Sequence, residues 1–67
     1  MTLFLLSGKD PNDKDNPEKT WIVVAAGEID ARKLLPGYFE VYEVEIRAGD
    51  FGGMPGAIGW IGKSKEP

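Results

Sequence analysis

The chain contains no cysteine and no histidine. Without cysteine it can form neither disulfide bonds nor thiolate metal sites, and without histidine it lacks a usual zinc ligand and the commonest general base. Small secreted domains usually depend on disulfides, so we expect a cytoplasmic protein. Because the usual groups for general-base, thiolate and zinc chemistry are missing, we also expect no enzymatic activity and no catalytic, cofactor-binding or metal-ligating residues.

Long apolar segments and an excess of positive charge are also missing. The apolar run near the N-terminus has only four residues and follows no basic residue, unlike a signal peptide. No segment approaches the ~18 apolar residues of a membrane-spanning helix. The formal net charge is −3, with acidic and basic residues mixed along the chain, whereas proteins that bind nucleic acid carry a basic face. The sequence therefore argues against membrane and nucleic-acid partners.

The length of 67 residues predicts a single domain, residues 1–67. A chain this short buries only ~60% of the surface that its unfolded form exposes, so we expect marginal stability. The apolar residues that are candidates for the core are Leu3, Phe4, Leu5, Leu6, Trp21, Ile22, Val23, Val24, Ile29, Leu34, Leu35, Phe39, Val41, Tyr42, Val44, Ile46, Ile58, Trp60 and Ile61. They suffice for one sheet and one helix, but not for a core that encloses a substrate-sized cavity of about 300 Å³ or more.

Hydrophobic patterns predict four strands and one helix. The strands are expected at Thr2–Ser7, Thr20–Ala26, Tyr38–Arg47 and Ala57–Lys63, and the helix at Glu28–Leu35. The second strand is apolar on both faces, which is typical of a strand inside a sheet. In the third strand, Tyr42, Val44 and Ile46 are expected to share one face. The apolar residues before them fall in the opposite phase, which indicates a bulge near Val41. By simple alternation, Glu40 faces away from the later acidic residues of this strand.

Polar and glycine-rich segments connect these elements. Gly8–Lys19 is rich in proline, asparagine and aspartate, and we predict a solvated polar loop there. Residues 48–56 are predicted to be a glycine-rich loop, and residues 64–67 are expected to form a frayed tail.

The elements follow in the order strand, strand, helix, strand, strand, and either Gly27 or Asp30 could provide the N-cap of the helix. The two flanking strand pairs are most simply hairpins. We therefore predict an α+β fold, with a small four-stranded, mainly antiparallel sheet and one short helix on one face (ββαββ order). The link from Ala26 to Tyr38 is close to the ~10–12 residues that a parallel crossover needs, so a mixed sheet stays open. A small SH3-like barrel is the alternative fold.

Two short motifs suggest ligands that their context argues against. Ala57–Ser64 fits a phosphate-binding loop if alanine is allowed at its first position, but only three residues follow, too few for the helix that binds phosphate. Asp10–Pro17 collects oxygen ligands of the kind that calcium takes, but it lacks the EF-hand spacing. The end of a strand and a polar turn explain these two motifs better. A small ligand or calcium binder stays open as an alternative function.

Two surfaces are candidates for contact with another protein. Phe51 and Met54 lie in the glycine-rich loop, and exposed aromatic and methionine side chains are typical of interfaces. The alternative is that Phe51 covers one end of the core. The second candidate surface is formed by Glu43, Glu45 and Arg47, which share one face of the third strand. Paired carboxylates can act in acid–base catalysis, but a solvated row of alternating charges explains these residues better.

By elimination, we predict a non-enzymatic protein-interaction module whose partner is another protein. The middle of the chain, VAAGEIDARKLL, resembles the corresponding part of small orphan proteins from phages and mobile elements. The expected role of the module is that of an inhibitor or adaptor of another protein. The alternative is a structural homo-oligomer whose copies pair through an edge strand.

Overall fold

Four strands and one helix follow one another in the predicted order. They are β1 (Thr2–Lys9), β2 (Glu18–Ala25), α1 (Glu28–Lys33), β3 (Glu40–Ala48) and β4 (Gly56–Gly62). The computed structural model describes residues 1–62, so the predicted tail at 64–67 lies outside the described residues. The prediction of an α+β fold with a four-stranded antiparallel sheet and one short helix is confirmed. No helix within residues 1–62 is long and apolar enough to cross a membrane.

The strand order in the sheet is β3-β1-β2-β4, and every pairing is antiparallel. β1 and β2 form the predicted hairpin, and β2 lies inside the sheet as its apolar pattern indicates. The predicted hairpin of β3 and β4 is wrong, because the chain passes through α1 from β2 to the far side of β1. β3 and β4 are consequently the two edges of an open sheet, so the mixed sheet and the closed barrel are both excluded.

Residues directly opposite each other in an antiparallel sheet share a face, so the register divides the side chains between two faces. On the core face, Leu6 lies opposite Trp21 of β2 and Val44 of β3. The buried side chains of the core are Phe4, Leu6, Val23, Ala25, Ala31, Leu35 and Phe39, with Trp21, Val41 and Val44 packed against them. The helix contributes Ala31 to this core. The opposite face, here called the open face, carries Ser7 opposite Thr20.

Seven predicted core residues are exposed instead. They are Ile29, Leu34, Tyr42, Ile46, Ile58, Trp60 and Ile61. Five of them belong to β3 and β4, which have a neighbouring strand on one side only and therefore bury less of each side chain.

The helix is shorter than predicted, and it begins after the first of its two candidate N-cap residues. Gly27 is the N-cap residue, and α1 ends at Lys33. Asp30 lies inside the helix, so the alternative in which Asp30 provides the N-cap is wrong. Because α1 has only six residues, it packs on the sheet through a narrow face. The small side chain of Ala31 on this face allows the helix to lie close to the sheet.

The bulge predicted near Val41 is present in β3. Ser7 of β1 lies opposite Glu43, but the next residue, Gly8, lies opposite Val41. Tyr42 is therefore an extra residue between two regular stretches of pairing, which is the definition of a β-bulge.

This bulge reverses the alternation of side chains along β3. Tyr42 lines a depression on the open face beside Glu43, so the prediction that Tyr42 shares a face with Val44 is wrong. Glu40 lies opposite Lys9 and hence on the open face with Glu43, so the prediction that Glu40 faces away is wrong as well. Both errors have one cause, since an inserted residue shifts a period of two by one position.

Gly8 lies where the start of β3 packs closely against β1. A Cβ atom at Gly8 would overlap the carbonyl oxygen of Glu40 and would lie 2.8 Å from the Cε2 atom of Phe39. The Phe39 ring meets Trp21 edge to face, with ring centroids 6.3 Å apart. The missing side chain of Gly8 therefore allows the segment before β3 to close over the core.

Candidate functional site

β4 forms one edge of the sheet and carries no charged residue. Within residues 1–62 its sequence, GAIGWIG, pairs with β2 alone. Ile58, Trp60 and Ile61 are exposed. Ile58 forms a β-bulge, because Ile22 of β2 lies opposite Gly59 and Val23 lies opposite Ala57, which leaves Ile58 without a partner residue in β2. Edge strands present unpaired N–H and C=O groups, and native proteins usually protect such edges with charges, prolines or bulges. Apart from this single bulge, the described part of β4 contains none of these protective features.

β3, at the opposite edge, is protected in two ways. Register shifts interrupt its pairing with β1 at two places. It also carries four charged residues, namely Glu40, Glu43, Glu45 and Arg47. The Nη2 atom of Arg47 lies 3.4 Å from Oε2 of Glu45, which confirms that these two side chains are neighbours on one face. Because charges and bulges disfavour strand addition, the two edges of the sheet differ in their capacity to pair.

The glycine-rich loop leads directly into β4 and spans residues 49–55. The backbone N–H of Phe51 donates a hydrogen bond to the carbonyl oxygen of Met1 over 2.7 Å. The Phe51 residue is 36% exposed and Met54 is 85% exposed. Both predicted contact residues are thus accessible in the loop that leads from β3 to β4, and Phe51 lies next to Met1, the residue before β1. The charged contact residues predicted on β3 lie in the strand that precedes this loop.

A buried ion cluster connects the β1–β2 loop with β4. The Nζ atom of Lys19 lies 2.7 Å from Oδ2 of Asp10 and 2.9 Å from Oδ2 of Asp13. It also lies 4.2 Å from the centre of the Trp60 ring, within the range of a cation–π contact. The side chains of Lys19 and Asp10 are each only 6% exposed. One ammonium group therefore holds two loop carboxylates and an aromatic side chain of the edge strand.

The loop between β1 and β2 is folded around this cluster. Oδ1 of Asp10 accepts a hydrogen bond from the backbone N–H of Asn12. Oδ1 of Asp13 accepts hydrogen bonds from the N–H groups of Asp15 and Asn16. The loop therefore differs from the solvated connector predicted from its composition, because two of its carboxylates bind an ammonium group that the chain itself supplies.

The two ligand motifs of the sequence have clear places in the structure. Ala57–Gly62, the first part of the phosphate-loop pattern, lies in the extended strand β4, while Lys63 and Ser64 lie outside the described residues. Among residues 1–62, no group of three or more acidic side chains is arranged to hold a metal ion. The carboxylates of the calcium-like motif belong to the Lys19 cluster.

Because of this cluster, we expect the thermal stability of the protein to fall at acidic pH. The hydrogen bond from Lys19 holds the pKa of Asp13 below its ordinary value of 3.8, and the hydrogen bond to Asp10 raises the pKa of Lys19 above 10.5. A carboxyl group whose pKa is lower in the folded than in the unfolded state stabilises the fold at pH values above its unfolded-state pKa. This stabilisation is lost as the pH falls through its folded-state pKa. The Lys19 contribution is present below pH 10.5 and is lost as the pH rises further.

We therefore expect Asp13→Asn to lower the melting temperature at pH 7 and to reduce its fall below about pH 4 relative to wild type. Melting curves recorded by circular dichroism across this pH range measure both effects. Asp15→Asn is the matched control, because Asp15 makes no ion pair within residues 1–62. Equal acid sensitivity of wild type and Asp13→Asn would contradict a role of this carboxylate in stability.

The open face carries a depression of about 290 Å³ toward the end of the sheet where the β1–β2 loop lies. It is lined by Ser7, Glu18, Lys19, Thr20, Tyr42, Glu43, Ile61 and Gly62. The hydroxyl oxygens of Ser7 and Thr20 lie 2.9 Å apart and share a hydrogen bond across β1 and β2. Residues from all four strands meet here, and the volume is just below the ~300–1,000 Å³ that ligand pockets occupy.

Sequence reasoning missed both the depression and the Lys19 cluster. The phase shift in the third strand was the signal for the depression, since a bulge places Tyr42 beside Glu43 on the open face. For the cluster, the signal was a lysine that follows a set of oxygen ligands at the start of an apolar strand, which is an unusual place for an unpaired charge.

No family model, no curated protein and no solved structure matches this chain. The features that bear on function are the unequal edges of the sheet, the loop that leads into β4 and the depression on the open face.

Proposed function

We propose that the chain is a non-enzymatic protein-interaction module that binds an extended segment of another protein along the free edge of β4. The observation that carries this proposal is the difference between the two edges. β4 is uncharged and exposes Ile58, Trp60 and Ile61, whereas β3 is interrupted and charged. In strand addition, main-chain hydrogen bonds provide affinity and the side chains along the edge provide specificity.

The loop that leads into β4 extends this surface. Met54 is the most exposed large apolar side chain in residues 1–62, and Phe51 precedes it in the same loop. Aromatic and methionine side chains are enriched in the centres of interfaces, where a few residues carry most of the binding energy. A module with this surface acts as an inhibitor when it covers a segment that the partner needs, and as an adaptor when it holds a segment for a third protein.

Another copy of the chain is the second candidate partner. Because β4 carries no charge, two copies can pair antiparallel along it without like-charge repulsion, whereas two acidic β3 strands would repel each other. A dimer of this kind would join two sheets into one around a two-fold axis.

A lysine introduced on β4 is expected to abolish strand addition. In Ile58→Lys the charge lies at the free edge, where lysine disfavours the approach of another strand. Peptides selected from a displayed random library against the wild-type chain provide the probes, and fluorescence anisotropy measures their affinities. We expect Ile58→Lys to bind them at least about tenfold more weakly than wild type, which corresponds to ~1.4 kcal/mol.

Ile46→Lys is the matched control, because Ile46 is 65% exposed and Ile58 is 64% exposed, but Ile46 lies on the protected edge strand β3. This variant should bind the peptides as wild type does, and circular dichroism should show that both variants are folded. Equal affinities of all three chains would refute the proposal. Sedimentation of the three chains decides between partners, since a dimer that only Ile58→Lys loses identifies a second copy as the occupant.

A further inference from the structure

The depression on the open face contains hydrogen-bond acceptors at its centre. Ser7 and Thr20 share one hydroxyl hydrogen, so both oxygens retain lone pairs that can accept further hydrogen bonds. Tyr42 and Ile61 line the depression from the two edge strands and supply an aromatic and an aliphatic surface. This combination suits a ligand that has an apolar stem and a polar donor at its end.

Glu43 contributes a negative charge to the depression, and Lys19 is the basic residue among the described lining residues. Lys19 lies opposite Gly8 on the core face, and its ammonium group binds Asp10 and Asp13. The Lys19 side chain therefore does not neutralise the open face.

The carboxylate of Glu43 has no counter-ion in this depression. Within residues 1–62 it makes neither an ion pair nor a side-chain hydrogen bond, whereas Glu45 on the same strand pairs with Arg47. Lys9, a further basic residue of the open face, lies opposite Glu18 and Glu40 at the end of the strands. Glu43 thus combines a free carboxylate with an adjacent tyrosine ring, and each of these groups attracts a cation.

We propose that this depression binds the cationic side chain of an arginine or lysine residue of the partner protein. The volume of about 290 Å³ suits one long side chain rather than a larger cofactor. The alkyl stem would lie on Ile61, and the cationic group would donate hydrogen bonds to Glu43 and to the hydroxyl groups while it contacts the ring of Tyr42. The source of the side chain rests on the proposed function, but the chemistry of the site can be tested without any partner.

The test uses N-acetyl-arginine N-methylamide and its citrulline analogue, which has the same shape and no charge. Both are titrated into the wild-type chain at low salt, and NMR chemical shifts report the binding. We expect the arginine compound to bind about fivefold more tightly, with shifts at Ser7, Thr20 and Tyr42, and we expect the difference to shrink as salt screens the charges.

Two variants locate the effect. Glu43→Gln should remove the preference for arginine over citrulline, whereas Asp30→Asn removes one exposed negative charge on the helix and should leave it intact. Equal binding of the two compounds to wild type, no binding of either, or shifts confined to other residues would overturn the proposal. Ile58→Lys should bind the arginine compound as wild type does, so a failure of strand addition at β4 and a failure of this site give different results.

Discussion

Replacement of Leu6 by alanine is expected to remove about half of the stability of the protein. Leu6 is fully buried at the centre of the core face, opposite both Trp21 and Val44. Truncation of a buried leucine costs about 2–5 kcal/mol, because transfer energy is lost and a cavity remains. A chain of 67 residues is expected to have only ~3–10 kcal/mol in total. Urea denaturation followed by tryptophan fluorescence measures the change in the free energy of unfolding.

Leu5→Ala is the control for this prediction. Leu5 is the next residue on the same strand, but it is half-buried on the open face, opposite Ile22 and Glu45. Its truncation should cost clearly less than that of Leu6, since less apolar surface returns to water. A cost for Leu5→Ala equal to or above that for Leu6→Ala would show that the two faces of the sheet have been assigned the wrong way round.

Gly8→Ala is expected to have the second large effect, a loss of about 1–3 kcal/mol or more. The new methyl group would overlap the backbone carbonyl oxygen of Glu40 and crowd the ring of Phe39. A backbone atom cannot rotate away as a flexible side chain can, so β1 and the start of β3 must separate. The same denaturation experiment measures this loss, and a shift of NMR signals at Phe39 would locate the strain.

Gly59→Ala is the matched substitution in another strand of the sheet. Nothing lies within 4 Å of a Cβ atom built at Gly59, and its φ angle is not positive. Alanine should therefore be tolerated there or should even stabilise the strand, because glycine within a strand costs about 0.5–1 kcal/mol relative to alanine. If both substitutions cost the same, the effect at Gly8 reflects a general loss of glycine rather than the close packing against Glu40.

The features that the sequence predicted correctly are mostly local. The β1–β2 hairpin, the helix before Pro36 and the bulge in β3 each depend on residues near one another in the chain. The bulge is the most informative of them. The sequence indicated it because Val41 is out of phase with the apolar alternation that begins at Tyr42. Its effect on the direction of Tyr42 required the register with β1, and alternation alone gave the wrong face.

The order of the strands could not be obtained in this way. A hairpin of β3 and β4 satisfies the same hydrophobic pattern as two separate edges, and pairing between distant strands leaves little trace in a single sequence. One signal was present nevertheless. Leu3–Leu6 is an uninterrupted apolar run, which is typical of a strand that is covered on both faces and has neighbours on both sides. With β1 and β2 both central, β3 and β4 must occupy opposite edges.

The Lys19 cluster was hidden for a different reason. Charged residues in a loop rich in proline and aspartate are usually solvated, and composition cannot show that a lysine at the start of β2 folds back onto Asp10 and Asp13. The oxygen ligands of Asp10–Pro17 suggested a calcium ion although their spacing did not, and the cation that Asp10 and Asp13 bind is an ammonium group within the chain.

The unequal edges of the sheet also limit how large an assembly can become. A sheet with two open edges can add strands on both sides and grow into a polymer of undefined length. If a partner strand adds to β4 as proposed, the bulges and charges of β3 disfavour growth on the other side. We therefore expect a complex formed through β4 to have a one-to-one stoichiometry and to terminate the extended sheet instead of propagating it.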